Sequence, residues 1–287
     1  MEFLRPKTLA EALALKAERP AAVPIAGGTD VMVELNFDHR RPEAMLDLTT
    51  VPGLTEWSTS DGTVRLGAGV PYTRVIAEVG ESVPALAMAS RTVGSPQIRN
   101  RGTVGGNLGA ASPAGDTHPV LLALDARIEV ASVRGTRLLR AEEFYVGVKR
   151  HSLEPDELIT AVHLPAHAGP QQFAKVGTRN AMVIAVCSFA LALRDGKVGA
   201  AIGSAAPTPR HAREAEEFLA AELPWGSAEA LPDSLKRRFG ELVAEATSPI
   251  DDVRGSAAYR KHALGVLARR TLTWAWDDHR TGERACA

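Results

Sequence analysis

The chain has 287 residues, 45% hydrophobic and 23% charged, which is enough for about two domains, each with its own core. Its 33 basic and 34 acidic side chains leave a formal charge of −1, so the chain lacks the basic footprint of a nucleic-acid binder and points to a small-molecule or protein partner. The N-terminus places Glu2 and Arg5 before any apolar core of signal-peptide length, and no run of about 18 apolar residues follows, so the expected location is cytoplasmic. Cys187 and Cys286 are the only cysteines. Two thiols build neither a disulfide framework nor the thiolate shell of an iron–sulfur cluster, so any cluster must belong to another chain.

In chain order, Thr8 followed by Glu11 and the apolar Ala10, Leu13 and Leu15 predicts a capped helix from Thr8 to Glu18, which Pro20 ends. Val23–Ile25, Met45–Leu48 and Val64–Leu66 read as short strands, with Asp61-Gly62 a hairpin turn. Thr73–Glu78 and Pro84–Ser90 read as helices, and Pro119–Leu124 as a helical turn. Ala126–Ser132 and Thr136–Leu139 form a hairpin around Arg134-Gly135, and Leu158–Leu164 is an apolar strand. The run PAHAGP at Pro165–Pro170 marks a domain boundary. Beyond it Ala181–Leu193 is continuously apolar, Asp195-Gly196 turns the chain, and Lys197–Gly203 returns. Amphipathic helices follow at about Pro209–Ala221, Ser234–Thr247 and Ala257–Trp276, with Arg260, Lys261, Arg269 and Arg270 on the solvated face of the last. The pattern is α+β.

Two glycine clusters stand out. Gln97–Asp116 reads QIRNRGTVGGNLGAASPAGD and shows neither a helical nor a strand period, so it reads as a loop. There Gly102, Gly105, Gly106 and Gly109 permit positive φ and let N–H groups converge on an anion such as a pyrophosphate. Ala26-Gly27-Gly28-Thr29-Asp30 ends the strand at Ile25, and two such loops can hold one ligand from both sides. Taken alone, a single cluster is equally compatible with an empty surface loop.

With AGGTD at Ala26–Asp30, IRNRGTVGGN at Ile98–Asn107 and the acidic Asp116 after a proline-containing turn, the chain resembles the flavin-binding medium subunits of the molybdenum hydroxylases, the group of xanthine dehydrogenase, aldehyde oxidoreductase and carbon monoxide dehydrogenase. The resemblance runs over essentially the whole chain. It implies a two-subdomain FAD-binding domain of the vanillyl-alcohol-oxidase-like (PCMH) type over residues 1–170, then a C-terminal domain of antiparallel sheet and helices over 171–287. It further implies that Ala26, Gly27, Gly28, Thr29, Asp30, Thr103, Gly105, Gly106 and Asn107 cradle the FAD pyrophosphate, and that Asp116 meets ribityl or ribose hydroxyls. A carboxylate suits hydroxyls better than phosphates; the alternative for Asp116 is to cap the helix starting near Thr117. The backbone of Ile159 is implied at the flavin's pyrimidine edge, although its side chain alone reads as core, and Lys175 is implied near the flavin ring. Arg179 pairs with an acid or with the cofactor. The chain departs from the family pattern after that arginine, where Ala181, Met182, Val183 and Ile184 replace the usual acidic or aromatic residue.

The implied role is transfer of electrons from a [2Fe–2S] small subunit to an outside acceptor, in a complex with a molybdenum-cofactor large subunit, assembled as a dimer of heterotrimers. No residue of this chain is expected to be catalytic or to bind metal. Two other readings remain: a self-sufficient FAD-dependent oxidoreductase, and a degenerate assembly subunit without flavin. GTVGGNLG is not a Rossmann fingerprint, because polar Gln97, Arg99, Asn100 and Arg101 precede it where a strand is required. His118 reads as a turn residue.

Overall fold

The computed structural model describes residues 1–167, 169–194 and 196–282, so Asp195 of the expected turn and Cys286 lie outside the described residues. The chain opens with β1 (Glu2–Leu4), α1 (Leu9–Glu18), β2 (Val23–Ile25), α2 (Val31–Asn36) and β3 (Ala44–Asp47). The Thr8 hydroxyl accepts from the Glu11 N–H, and the Glu11 carboxylate accepts from the Lys7 N–H, so the start of α1 is capped by side chains as its sequence predicts. The three strands form a parallel sheet in the order β1-β3-β2. Ala12 of α1 packs with Ala44 and Leu46 of β3 in a small core of its own.

A second layer follows with β4 (Trp57–Ser60), β5 (Thr63–Gly67), α3 (Tyr72–Arg74) running into a π-helical stretch at Val75–Val79, α4 (Pro84–Thr92), α5 (Pro96–Arg99), α6 (Val104–Ala110), α7 (His118–Ala123), β6 (Arg127–Ser132), β7 (Gly135–Arg140), α8 (Ala141–Phe144), β8 (Tyr145–Gly147), β9 (Arg150–His151) and β10 (Leu158–Pro165). Asp61 and Gly62 both have positive φ, 51° and 69°, the requirement of the tight hairpin that joins β4 to β5. The sheet order is β4-β5-β10-β6-β7, all antiparallel. In the β10–β6 pairing Ile159 faces Val130 and Ala161 faces Glu129, so Thr160 is the extra residue of a β-bulge.

The last part holds β11 (Gln171–Val176), β12 (Cys187–Arg194), β13 (Lys197–Gly203) and β14 (Arg210–His211) in sequential antiparallel order, then α9 (Arg213–Glu222), α10 (Asp233–Glu245) and α11 (Ala257–Thr281). The apolar run expected from Ala181 becomes a strand only at Cys187; Ala181, Met182 and Ile184 are exposed. Within β12 the two faces differ in size. Phe189, Leu191 and Leu193 pack with the helical core, while Ala190 and Ala192 join the core of the preceding layer. Small side chains are needed there because α7 lies close: a Cβ on Gly199 would fall 1.9 Å from the Ala123 carbonyl oxygen. The helix expected from Pro209 begins at Arg213, since Arg210 and His211 first pair with β13. Arg260 is not on a solvated face. It is 3% exposed, and its guanidinium donates to the Val186 and Ser204 carbonyls and to Asp252.

Candidate functional site

The two glycine clusters meet. A Cβ on Gly27 would lie 1.8 Å from the Arg101 carbonyl oxygen, so only glycine allows AGGTD to press on RGTVGGN. Gly28 takes φ +76°, and the chain then enters α2. Among the described residues the N–H groups of Gly27, Gly28, Thr29 and Asp30 have no hydrogen-bond acceptor.

The second cluster differs from its expected form. Gly105, Gly106 and Gly109 lie within α6, and neither they nor Gly102 have positive φ. The helix has one buried face and one open face, which glycines conceal from any hydrophobic pattern. Val104, Gly105 and Leu108 point inward, whereas Gly106 and Gly109 are exposed. A Cβ on Gly105 would sit 2.5 Å from both the Cβ and the carbonyl oxygen of Ala68, so its glycine is required for packing against the residue that follows β5. On the open face, a Cβ on Gly109 would meet nothing within 4 Å, and one on Gly106 only Thr103 Oγ1 at 3.2 Å. Thr103 caps the helix by accepting the Gly106 N–H at 2.9 Å. The result is a bare-backbone surface next to the unpaired amides of residues 27–30.

Side chains from distant segments continue this surface. Thr117 Oγ1 donates to Asn107 Oδ1 at 2.7 Å, which leaves the Asn107 amide NH2 to donate elsewhere. Asp116, 7% exposed, does not cap α7; Lys175 Nζ and Thr92 Oγ1 both donate to its Oδ2, at 2.5 Å and 2.8 Å. Burial pushes the Asp116 pKa up, against the pull of the Lys175 charge and of these two hydrogen bonds. Lys175 also donates to the carbonyls of Thr92 and Val183, at 2.9 Å and 3.0 Å. Ile159 is tied in from the other side: the Ala68 N–H donates to the carbonyl of the neighbouring Thr160, and Ala68 is the residue on which Gly105 packs. Direct contacts therefore join Gly27 to Arg101, Gly106 to Thr103, Gly105 to Ala68, Asn107 to Thr117 and Asp116 to Lys175, with Ile159 reached only through its neighbour Thr160, whereas Asp30 stays exposed without a side-chain cap bond to α2.

Other expectations fare differently. His118 is not a turn residue but the fully buried first residue of α7, with Nδ1 2.8 Å from the Tyr145 hydroxyl and Nε2 without a partner among the described residues. Burial lowers its pKa to about 3. Among the described residues Arg179 pairs with no acid; it donates to the Met182 carbonyl, within a loop whose Met182 has φ +52°. Thr92 and Thr117 carry no sequence signal: each matters only through a partner brought close by the fold.

Residues 1–167 match the family model of the FAD binding domain in molybdopterin dehydrogenase, and residues 172–275 that of the CO dehydrogenase flavoprotein C-terminal domain. The chain belongs to this family. It is 32% identical to a putative xanthine dehydrogenase FAD-binding subunit of Escherichia coli, over 95% of each chain. It is 33% identical to the nicotine 6-hydroxylase medium subunit of Paenarthrobacter nicotinovorans, over 96% of this chain and 97% of that one. Its fold overlays a chain of quinoline 2-oxidoreductase from Pseudomonas putida with a TM-score of 0.89 at 26% identity, covering 98% of both. The protein is thus an FAD-binding medium subunit of the molybdenum hydroxylase type, an α+β flavoprotein of the oxidoreductases. Among the described residues no helix is long and apolar enough to cross a membrane.

Proposed function

We propose that this chain carries FAD between a [2Fe–2S] small subunit, from which electrons arrive, and an external acceptor, to which they leave, while a molybdenum-cofactor large subunit transforms the substrate. The assembly is a cytoplasmic dimer of heterotrimers, and the chain divides into an FAD-binding domain, 1–170, and a C-terminal domain, 171–287. FAD supplies the redox chemistry when bound; the protein supplies binding, orientation and electrostatics.

The observation that carries the binding site is the junction of Gly27 with Arg101 beside the bare face of α6. Ala26, Gly27, Gly28, Thr29 and Asp30 on one side, with Thr103, Gly105, Gly106 and Asn107 on the other, offer backbone and side-chain donors to a pyrophosphate without requiring a lysine. Asp116 offers a carboxylate to ribityl or ribose hydroxyls. The bulge at Thr160 turns the backbone beside Ile159 out of regular pairing, which suits it to the flavin's pyrimidine edge. Denaturing the purified full chain and separating the released flavin by chromatography tests this assignment. FAD is expected. FMN in its place, or no flavin after incubation with FAD, would overturn the pyrophosphate cradle.

A further inference from the structure

Lys175 is a cation whose side chain is 8% exposed, and the ammonium has three donors. All three are engaged by the protein: the Asp116 carboxylate at 2.5 Å, the Thr92 carbonyl at 2.9 Å and the Val183 carbonyl at 3.0 Å. These acceptors lie on three separate segments: the last turn of α4, the turn before α7 and the exposed loop that joins β11 to β12. We propose that Lys175 is a positioning residue that acts through Asp116, fixing its Oδ2 and binding the β11–β12 loop to the cofactor site, and that it makes no direct contact with the flavin. The inference rests on the FAD reading given above.

Three features support it. Both Lys175 and Thr92 donate to Oδ2, and among the described residues Oδ1 accepts no hydrogen bond, so the carboxylate is held at one oxygen and can accept a hydroxyl at the other. Burial alone would favour a neutral Asp116, which donates where an acceptor is needed, and the nearby ammonium opposes that shift. Val183, whose carbonyl Lys175 holds, lies between Met182 and Ile184, 53% and 56% exposed, so the same ammonium fixes an apolar surface segment beside the site.

The test is a double-mutant cycle on the full chain stripped of flavin and titrated with FAD, comparing Lys175→Met, Asp116→Asn and the double variant. If Lys175 works through Asp116, each single change weakens FAD binding by about 10- to 100-fold, the loss of one charge-assisted hydrogen bond, and the double variant binds no more weakly than the weaker single. Lys175→Met should leave the flavin midpoint potential unchanged when made in the Asp116→Asn background. Multiplying losses in the double variant, or a potential shift in that background, would overturn the proposal by showing that the ammonium meets the flavin itself. Should Lys175→Met fail to fold, Thr92→Val, which removes the other donor to Oδ2, replaces it in the cycle with the same expected pattern of affinities, and Lys175→Arg should keep affinity within a few-fold of wild type; loss of affinity in a folded Lys175→Arg as large as in Asp116→Asn would contradict the positioning role. Failure of the wild-type chain to bind FAD would instead sink the cofactor reading, and this proposal with it.

Discussion

His118 shows how burial alone can decide a residue's chemistry. Its imidazole touches Tyr145 through Nδ1, and a Cβ on Gly115 would lie 2.3 Å from its Nε2, so only glycine at position 115 leaves that edge clear. Burial lowers its pKa from 6.5 to about 3, so the ring is neutral in the fold at physiological pH. The unfolded chain takes up a proton below 6.5 and the folded chain resists it. The contribution of His118 to stability is therefore fully present above pH 6.5 and is lost as the pH falls towards 3, at about 1.4 kcal/mol per pH unit. Urea unfolding at a series of pH values should show this slope in the wild type and a shallower one in His118→Leu; equal slopes would mean the ring is solvated. From the sequence His118 reads as a turn residue, because the eight histidines are scattered and none forms a metal-ligand pair at a convincing spacing. In the fold it is buried and meets Tyr145, 27 positions away. The Asp116–Lys175 pair, 59 positions apart, is not legible in the sequence: the resemblance implies each residue at the cofactor but does not pair them.

The element most altered between sequence and structure is α6. Capping by Thr103 and the buried Val104 and Leu108 are helical features, yet three glycines in seven residues remove the apolar stripe from which a helix is normally read. Their roles differ by face, and this gives opposite mutational outcomes. Gly105→Ala would drive a methyl into Ala68 and should destabilise the whole chain by about 1–3 kcal/mol, as overpacking does. At Gly106→Val the added side chain presses only on the Thr103 hydroxyl, so it should leave the fold nearly intact but fill the surface proposed for the cofactor, abolishing FAD binding. Thermal melting together with FAD titration separates the two; a Gly106→Val chain that binds FAD like the wild type would remove α6 from the site. The elements with local signals were legible: the capped α1, the Asp61-Gly62 hairpin, and the paired strands on either side of Arg134-Gly135. Strand β12 was placed too early because an apolar run does not reveal where pairing begins. The Val186 N–H donates to the Val176 carbonyl at 2.8 Å, and regular pairing with β11 and β13 begins at Cys187 and Ser188.

Across the molecule, a single buried cluster links the antiparallel sheet β4–β10 to the C-terminal strands, with Phe173, Ala190, Ala192 and Ala201 packed among residues of α4 and α7. The helices α9, α10 and α11 close the far side through a second cluster around Phe239 and Trp276. The proposed cofactor cradle is therefore braced by the C-terminal part, with Lys175 bridging the two. Such a construction suits the proposed role of holding a carrier between two exchange partners, since electrons need only proximity whereas substrate chemistry needs acid and base groups at the surface. The most direct measurement mixes the FAD-loaded chain, without oxygen, with a chemically reduced [2Fe–2S] subunit from the same organism and follows flavin absorbance in a stopped-flow instrument. Bleaching of the flavin within the mixing experiment, with no substrate turnover by this chain alone, is the predicted result. A flavin that stays oxidised beside the reduced cluster, while the isolated FAD-loaded chain oxidises purines or aldehydes unaided, would contradict the account.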